Sequence, residues 1–461
     1  MSIDIAYIVS HGFAARMVTQ TNLLGLLVKE GKKVALICPD KNDTNLKEYC
    51  FNEGVELHEF NPRSQFWTGQ YVEIRKYFLE DIDNNIALKE KHIWATKYNT
   101  SKNPFSHIRP RLAYLGYKLT KLFPQIRKCY KAREEKYLEN ADAQQLIEGI
   151  NPKVLVSTYP VNFSEAMLLK AGNKRKNTKT IIHLLSWDNI TCKGHFPQLA
   201  DEYIAWGQIM RDEFMEYYKI QGDKIHICGV PHFDLHANII KDRNHAQYFD
   251  LIGLDINKPY LFFGMSSPRF APKEIDIVEW LAFEINNNSF GNDMQLVVRP
   301  HPQNVQGNLA DVSWLPRLKA LHNGRVLVDF PIFVQDSKML LSMESQDMEN
   351  LSMILSKSLV CLNSGSTLSI DSLVTNVPVI ITAFDGAEKL EYWKSAKRLI
   401  DYPHLKKFLQ INNVSVVHNY EDLKKQIISM NYNPIQDNNI NLEVANIGFS
   451  STSILNLFNG Y

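Results

Sequence analysis

Residues 361–371 read Cys-Leu-Asn-Ser-Gly-Ser-Thr-Leu-Ser-Ile-Asp, and the organisation of the chain can be worked outward from them. An apolar run, Leu359–Asn363, ends in a turn of small hydroxyl-bearing residues and gives way to helical spacing over Ser366–Thr375. A buried strand that turns into a helix through Ser and Gly is one step of a βαβ unit. The start of such a helix presents backbone N–H groups and partial positive charge. Gly365 lets a ligand approach the backbone, and Ser364, Ser366 and Thr367 add hydroxyl donors. Together these make a phosphate-binding arrangement, with Asp371 about one turn further on to accept a ribose hydroxyl. The serines could also do no more than cap the helix.

Two neighbouring features favour the phosphate. Arg299-Pro300-His301-Pro302 directly follows an apolar run from Gln295, so a cation and an imidazole stand at a strand's carboxyl end on a turn stiffened by proline. Arg299 and His301 suit a phosphate or diphosphate, and His301 could also protonate or stabilise a leaving phosphate. Gly264-Met265-Ser266-Ser267-Pro268-Arg269 follows the run Tyr260–Gly264, where Ser266, Ser267 and Arg269 suit an anion-binding loop.

The same grammar runs through the whole chain. Strands are expected at Ile3–Val9, Lys33–Cys38, Val55–Phe60, Val154–Thr158, Thr180–Leu185, Tyr203–Trp206 and Ile225–Cys228. They continue at Tyr260–Gly264, Gln295–Arg299, Arg325–Phe330, Leu359–Asn363 and Pro378–Ala383. Their near-continuous apolar character fits strands buried on both faces. Helical patterns such as Ala14–Lys29, Gln208–Lys219 and Tyr420–Met430 lie between them. The expected fold class is α/β: two tandem Rossmann-like, doubly wound domains facing a cleft, with ligand loops at the carboxyl ends of the strands. The expected boundaries are 1–230, a linker 231–258, a second domain 259–445, and a C-terminal helix within 446–461.

Residues 61–150 interrupt the first domain with 16 Lys and Arg against 10 Asp and Glu. This is expected to be a helical basic insertion whose aromatics pack on the domain. It is also a candidate surface for an anionic membrane or a lipid-linked acceptor.

Composition narrows the function. The chain has 461 residues, 45% of them hydrophobic and 22% charged, with a net charge of +1. That is ordinary globular composition, and it gives no case for a nucleic-acid partner. Six cysteines without a C-x-x-C pair suit a reducing compartment. There is no signal core and no apolar run long enough to span a bilayer, so a cytoplasmic location is expected, at the inner face of the membrane if the insertion touches lipid. No P-loop, G-x-G-x-x-G or G-x-S-x-G motif is present. Asp81-Ile-Asp83 lies in the polar insertion rather than at a strand end, and no metal is expected.

In the first domain, Ser10-His11-Gly12 follows the first strand, and Ser186-Trp187-Asp188-Asn189 leads to Lys193-Gly194-His195 after the fifth. His11 and Asp188 are the candidate bases.

These residues resemble the two-domain GT-B nucleotide-sugar glycosyltransferases, and more narrowly bacterial surface-carbohydrate transferases of capsule and O-antigen type. The resemblance rests on 186–194, on the run from Ala205-Trp206-Gly207 to Gly229-Val230-Pro231-His232-Phe233-Asp234, on 299–302 and on 363–371. It covers most of the chain outside 61–150. The 299–302 stretch is also similar to the His-Pro motif of sialyl- and Kdo-transferases, and 364–367 to their serine motif. The acidic motif of sialyltransferases finds its nearest counterpart in Asn52-Glu53-Gly54, which departs at its first position, so a CMP, UDP or GDP donor stays open.

The resemblance implies transfer of a sugar from a nucleotide donor held by the second domain to a glycan or lipid-linked acceptor, and a final helix, Ile447–Leu457, that crosses back to the first domain. No resident cofactor is implied. Other readings compatible with the fold are a nucleotide-sugar 2-epimerase, a polyol-phosphate transferase and a non-catalytic glycan-assembly protein.

Overall fold

Short runs rich in Val, Ile and Leu form the inner strands and are buried on both faces, whereas the edge strands are partly exposed, as in Glu56–Glu59. In chain order the strands are β1 (Ile5–Ile8), β2 (Val34–Cys38), β3 (Glu56–Glu59), β4 (Val154–Ser157), β5 (Lys179–His183), β6 (Glu202–Ala205) and β7 (Ile225–Ile227). Then come β8 (Tyr260–Gly264), β9 (Gln295–Arg299), β10 (Val326–Val328), β11 (Val360–Asn363), β12 (Val379–Thr382) and β13 (Val414–Val417). The computed structural model describes the chain except residues 1–2, 63–65, 102, 243–245, 307–312, 335–341 and 431–438.

All pairs between these strands are parallel. They form a seven-stranded sheet, order β3-β2-β1-β4-β5-β6-β7, and a six-stranded sheet, order β10-β9-β8-β11-β12-β13. Each order reverses at one place, between β1 and β4 and between β8 and β11. A reversal opens a crevice at the carboxyl ends of the two strands, because their connections leave in opposite directions.

The chain forms two compact units. The first comprises Met1–Ala15, Asn22–Cys228 and Thr452–Tyr461; the second comprises Arg16–Thr21 and Gly229–Ser451. In the first, Ile8, Ile37 and Leu155 pack with Ile147 and Leu168 from covering helices. In the second, Leu261, Leu296 and Leu362 pack with Val278, Leu281 and Leu423 on one face, and Phe262, Val297 and Cys361 pack with Ile354 and Leu355 on the other. The two faces of each central strand are therefore both covered.

Several expectations change. Residues 231–258 are not a linker: helices Pro231–Asp242 and Ala246–Ile252 occupy them within the second unit, and only 243–245 lie outside the described residues. Ala14–Lys29 is two helices, Gly12–Thr19 and Leu23–Lys29, broken at the polar residues Gln20, Thr21 and Asn22. The edge strand β13 was not expected; its four residues include Ser415, and it is mostly half-buried.

The insertion is helical: Phe66–Leu79, Ile86–Lys97, Pro104–Leu122, Pro124–Tyr137 and Ala141–Ile150. Its last helix is a core helix, since Ala143, Ile147 and Ile150 pack against the sheet. The others build a small core of their own from Tyr77, Ile82, Leu88, Ala113 and Tyr117. Tyr130 stacks on Tyr71 and on Phe78 at 4.6 and 4.7 Å between ring centres.

Candidate functional site

The three loops singled out in the second half follow β9, β8 and β11, which are consecutive in the sheet and straddle its reversal point. At the end of β11, the Asn363 side chain organises the turn. Its Oδ1 accepts from the N–H groups of Gly365 (2.8 Å) and Ser366 (3.0 Å) and from the Ser369 hydroxyl (3.0 Å). Gly365 sits at φ 89°, a conformation that glycine adopts without the strain of a Cβ. The Ser366 hydroxyl accepts from Leu368 N–H. The N–H groups of Gly365 and Ser366 expected to receive a phosphate are therefore already bonded to Asn363. Ser366 is half-buried and Thr367 exposed.

Ser364 is corrected from ligand contact to framework. It is 1% exposed, and its hydroxyl bonds Glu274 (2.7 Å) and Thr382 (2.9 Å). Glu274, in the first turn of the helix Glu274–Asn286, also accepts from Ser266 N–H (2.6 Å). One buried carboxyl thus links the β8 and β11 loops. Burial pushes it up to about 7 against the opposing pull of these hydrogen bonds. Beside it, the Ser266 and Ser267 hydroxyls are buried; that of Ser266 interacts with Glu274, and that of Ser267 has no hydrogen-bond partner among the described residues. Arg269 is half-buried, and its carbonyl accepts from Arg398 (3.2 Å).

Arg299 is likewise corrected. Its guanidinium is buried and bonds Asp329 and Asp347, the latter at 2.5 Å. Tyr248 donates to Asp329 (2.6 Å) and Ile332 N–H to Asp347 (2.8 Å), so both carboxylates are further satisfied. Burial works against the charge on Arg299, but the two aspartates outweigh it and hold the guanidinium more firmly protonated. Arg299 ties β9 to its neighbours and offers no cation to a ligand.

His301 is half-buried. Its Nδ1 accepts from Gln303 N–H (3.0 Å), and its Nε2 makes no hydrogen bond among the described residues. Burial lowers its pKa to about 4, so the ring is neutral near pH 7.

Asp371 does not face a ribose. Its Oδ1 meets His232 Nε2 (3.0 Å) and His236 Nε2 (2.6 Å), all three side chains being buried. His236 Nδ1 bonds Ser352 Oγ (2.6 Å). Burial would raise the Asp371 carboxyl, but the two histidines outweigh it and hold it below the usual range; burial pushes His232 down to about 4. The three atoms lie within 4.8 Å of one another, a grouping that could hold a metal ion. They also satisfy each other, joining the helices Pro231–Asp242, Ser345–Lys357 and Leu368–Val374.

The 229–234 stretch has a structural role too. Gly229 lies at φ 79°, where a Cβ would come within 2.3 Å of the Ala445 carbonyl oxygen. Asp234 accepts from Ser450 and Ser451 N–H, both 2.9 Å, and so caps the last helix.

In the first unit, the loops after β1, β4 and β5 lie side by side at the other reversal point. The His11 ring meets Tyr159 edge-on, 4.8 Å between centres. Burial, and secondarily Lys193, lowers the His11 pKa, which favours the neutral ring. Asp188 accepts from Ser186 (2.6 Å) and pairs with Lys193 (2.9 Å), and that attraction raises the Lys193 pKa against burial. Glu165, fully buried, accepts from Ser157 Oγ and from Thr158 and Tyr159 N–H. It pins the β4 turn as Glu274 pins those of the second unit. Asp81 and Asp83 are engaged by Tyr117, Tyr114, Lys118 and Lys121.

The chain is similar along its whole length to several solved nucleotide-sugar enzymes. A UDP-N-acetylglucosamine 2-epimerase matches with TM-score 0.55 at 10% identity, covering 100% of this chain and 96% of the other. The enzyme from Methanocaldococcus jannaschii, in complex with UDP-GlcNAc and UDP, matches with TM-score 0.52 at 12% identity, covering 100% of both chains. The enzyme from Neisseria meningitidis, bound to UDP-GlcNAc, matches with TM-score 0.51 at 10% identity, again over 100% of both. The fold is the GT-B fold. No family model and no curated protein matches the chain.

The residues missed from sequence are Asn363 as turn organiser, Glu165 and Glu274, Asp329 and Asp347, and the His232–His236 pair. Only the last left a legible signal: two histidines four apart behind a proline, on one face of a helix.

Proposed function

We propose that this chain binds a uridine-diphosphate sugar at the carboxyl edge of its second sheet and epimerises the sugar at C2. The observation that carries the nucleotide reading is the buried Ser267 hydroxyl, unpartnered among the described residues, at the β8–β11 reversal. A buried donor without a partner is costly, and a phosphate oxygen would satisfy it. Ser366 and Thr367 border the same crevice, and His301 brings a neutral ring with its Nε2 uncommitted among the described residues.

The full-length likeness to UDP-GlcNAc 2-epimerases supports the choice of substrate and reaction. In that reaction a base removes the C2 proton as the C1–O bond to the diphosphate breaks. The nucleotide then adds back to C1 while C2 is reprotonated on the opposite face. Hydroxyl donors on the diphosphate stabilise the charge that develops as it leaves. His11, whose pKa burial lowers, and Asp188, paired with Lys193, both at the carboxyl edge of the first sheet, are the proposed proton-transfer groups. No metal is assigned a role.

Glycosyl transfer is the second reading. It is favoured by the insertion, whose apolar and basic outer face would suit a lipid-linked acceptor. Incubation with UDP-GlcNAc in D2O, without acceptor, separates the two. Epimerisation yields the C2 epimer with deuterium at C2. Neither product nor exchange, together with sugar release only when an acceptor is added, would replace epimerisation by transfer.

A further inference from the structure

We infer that the helix Pro104–Leu122 is a docking face for the surface of an anionic lipid bilayer. Phe105, Ile108, Leu112, Leu115, Leu119, Leu122 and the adjoining Phe123 are between 47% and 75% exposed. At α-helical spacing they fall within one stripe about 100° wide. The opposite face of the same helix, Ala113, Tyr117 and Thr120, is buried against the insertion's own core. The helix is therefore anchored on one side and apolar on the other along a length of about 28 Å. A contiguous run of exposed Leu, Ile and Phe exceeds the scattered apolar residues of an ordinary surface, and marks a contact.

Charge decides the partner. Between Glu90 and Glu134 the chain carries eleven Lys and Arg and no Asp or Glu. Arg109, Lys118 and Lys121 pair with Glu73, Asp83 and Asp81 of neighbouring segments. Arg111, Lys128 and Lys131 are exposed and make no ion pair among the described residues. A second copy of this chain would set these cations against their own kind, and an acid-free interface has nothing to neutralise them. An anionic leaflet accepts both the apolar stripe and the flanking positive charge. Among the described residues no helix is long and apolar enough to cross a membrane, so the contact is lateral.

The test is co-sedimentation of the full chain with vesicles of phosphatidylcholine, with and without phosphatidylglycerol, at low and high salt. Binding is expected only to the anionic vesicles and is weakened by salt. The combined change Leu112→Ser, Leu115→Ser and Leu119→Ser is expected to weaken it about tenfold or more. Its melting temperature and UDP affinity should stay unchanged, because these side chains touch neither core nor site. Lys128→Glu with Lys131→Glu should weaken anionic binding and leave the folded state intact.

Three results would overturn the inference: no binding to either vesicle, equal binding by the leucine variant, or a concentration-dependent dimer abolished by the same leucine changes. The assay needs no turnover, so it can succeed or fail independently of the proposed reaction.

Discussion

Arg299→Met separates a structural guanidinium from a phosphate-binding one. In the folded chain Arg299 lies between Asp329 and Asp347, all three less than 10% exposed. Methionine fills much the same volume without the charge, and among the described residues leaves two buried carboxylates with Tyr248 O–H and Ile332 N–H as donors. Removing one partner from a buried ionic cluster costs about 3–5 kcal/mol. For a unit of this size that lowers the unfolding midpoint by roughly 6–20 °C.

Adding Asp329→Asn and Asp347→Asn should restore much of the loss at about pH 7. The assay is thermal unfolding at that pH, with UDP affinity measured on the folded protein. A variant with the wild-type midpoint and no nucleotide affinity would refute the argument, since Arg299 would then be gripping phosphate.

Other consequences follow from the same geometry. Folded Glu274 keeps its proton up to about pH 7, whereas the unfolded chain releases it near 4.5, so this group lowers stability as pH rises through that window. Glu274→Gln removes the dependence, and variant stability relative to wild type should climb by up to about 3 kcal/mol from pH 4.5 to 7, measured by urea unfolding; a flat difference would contradict the burial argument. Gly229→Ala must hold a Cβ at φ 79° against a backbone carbonyl, and should cost at least about 2 kcal/mol, seen as a lowered urea midpoint; an unchanged midpoint would mean the turn relaxes freely. Dialysis against EDTA should leave the melting temperature unchanged, because His232, His236 and Asp371 satisfy one another. A drop reversed by Zn2+ would make them a metal site instead.

Twelve of the thirteen strands were legible, the inner ones because a doubly covered parallel strand must be apolar throughout, as at Tyr260–Gly264 and Val360–Asn363, and the polar edge strand Glu56–Glu59 only from its buried apolar flanks, Val55 and Phe60. The thirteenth, Val414–Val417, is a half-buried edge with a serine in it, and its pattern is too short to register. The loops carrying the candidate site were legible for a related reason: in this fold ligand loops leave the carboxyl ends of the strands beside the reversal point, so polar and glycine residues just after an apolar run mark them. Which of those polar groups face the crevice was not legible. Ser364 and Ser267 look alike in sequence, yet one is bonded to Glu274 and the other is left unpartnered. Arg299 and Asp371 read as ligand contacts because their partners, Asp329, Asp347, His232 and His236, come from segments that only the folded chain brings near. Burial turned those charges inward, and local sequence carries no record of it.

The claim on which the rest depends is that the β8–β11 crevice receives a nucleotide diphosphate. It is tested most directly by calorimetric titration of UDP into the wild-type chain and into Ser267→Ala. Wild type should bind UDP, and loss of one buried hydroxyl donor to a charged phosphate should weaken binding about 10- to 100-fold, with the fold unchanged. Equal affinity in the two proteins, or no binding of UDP by wild type, would contradict the account.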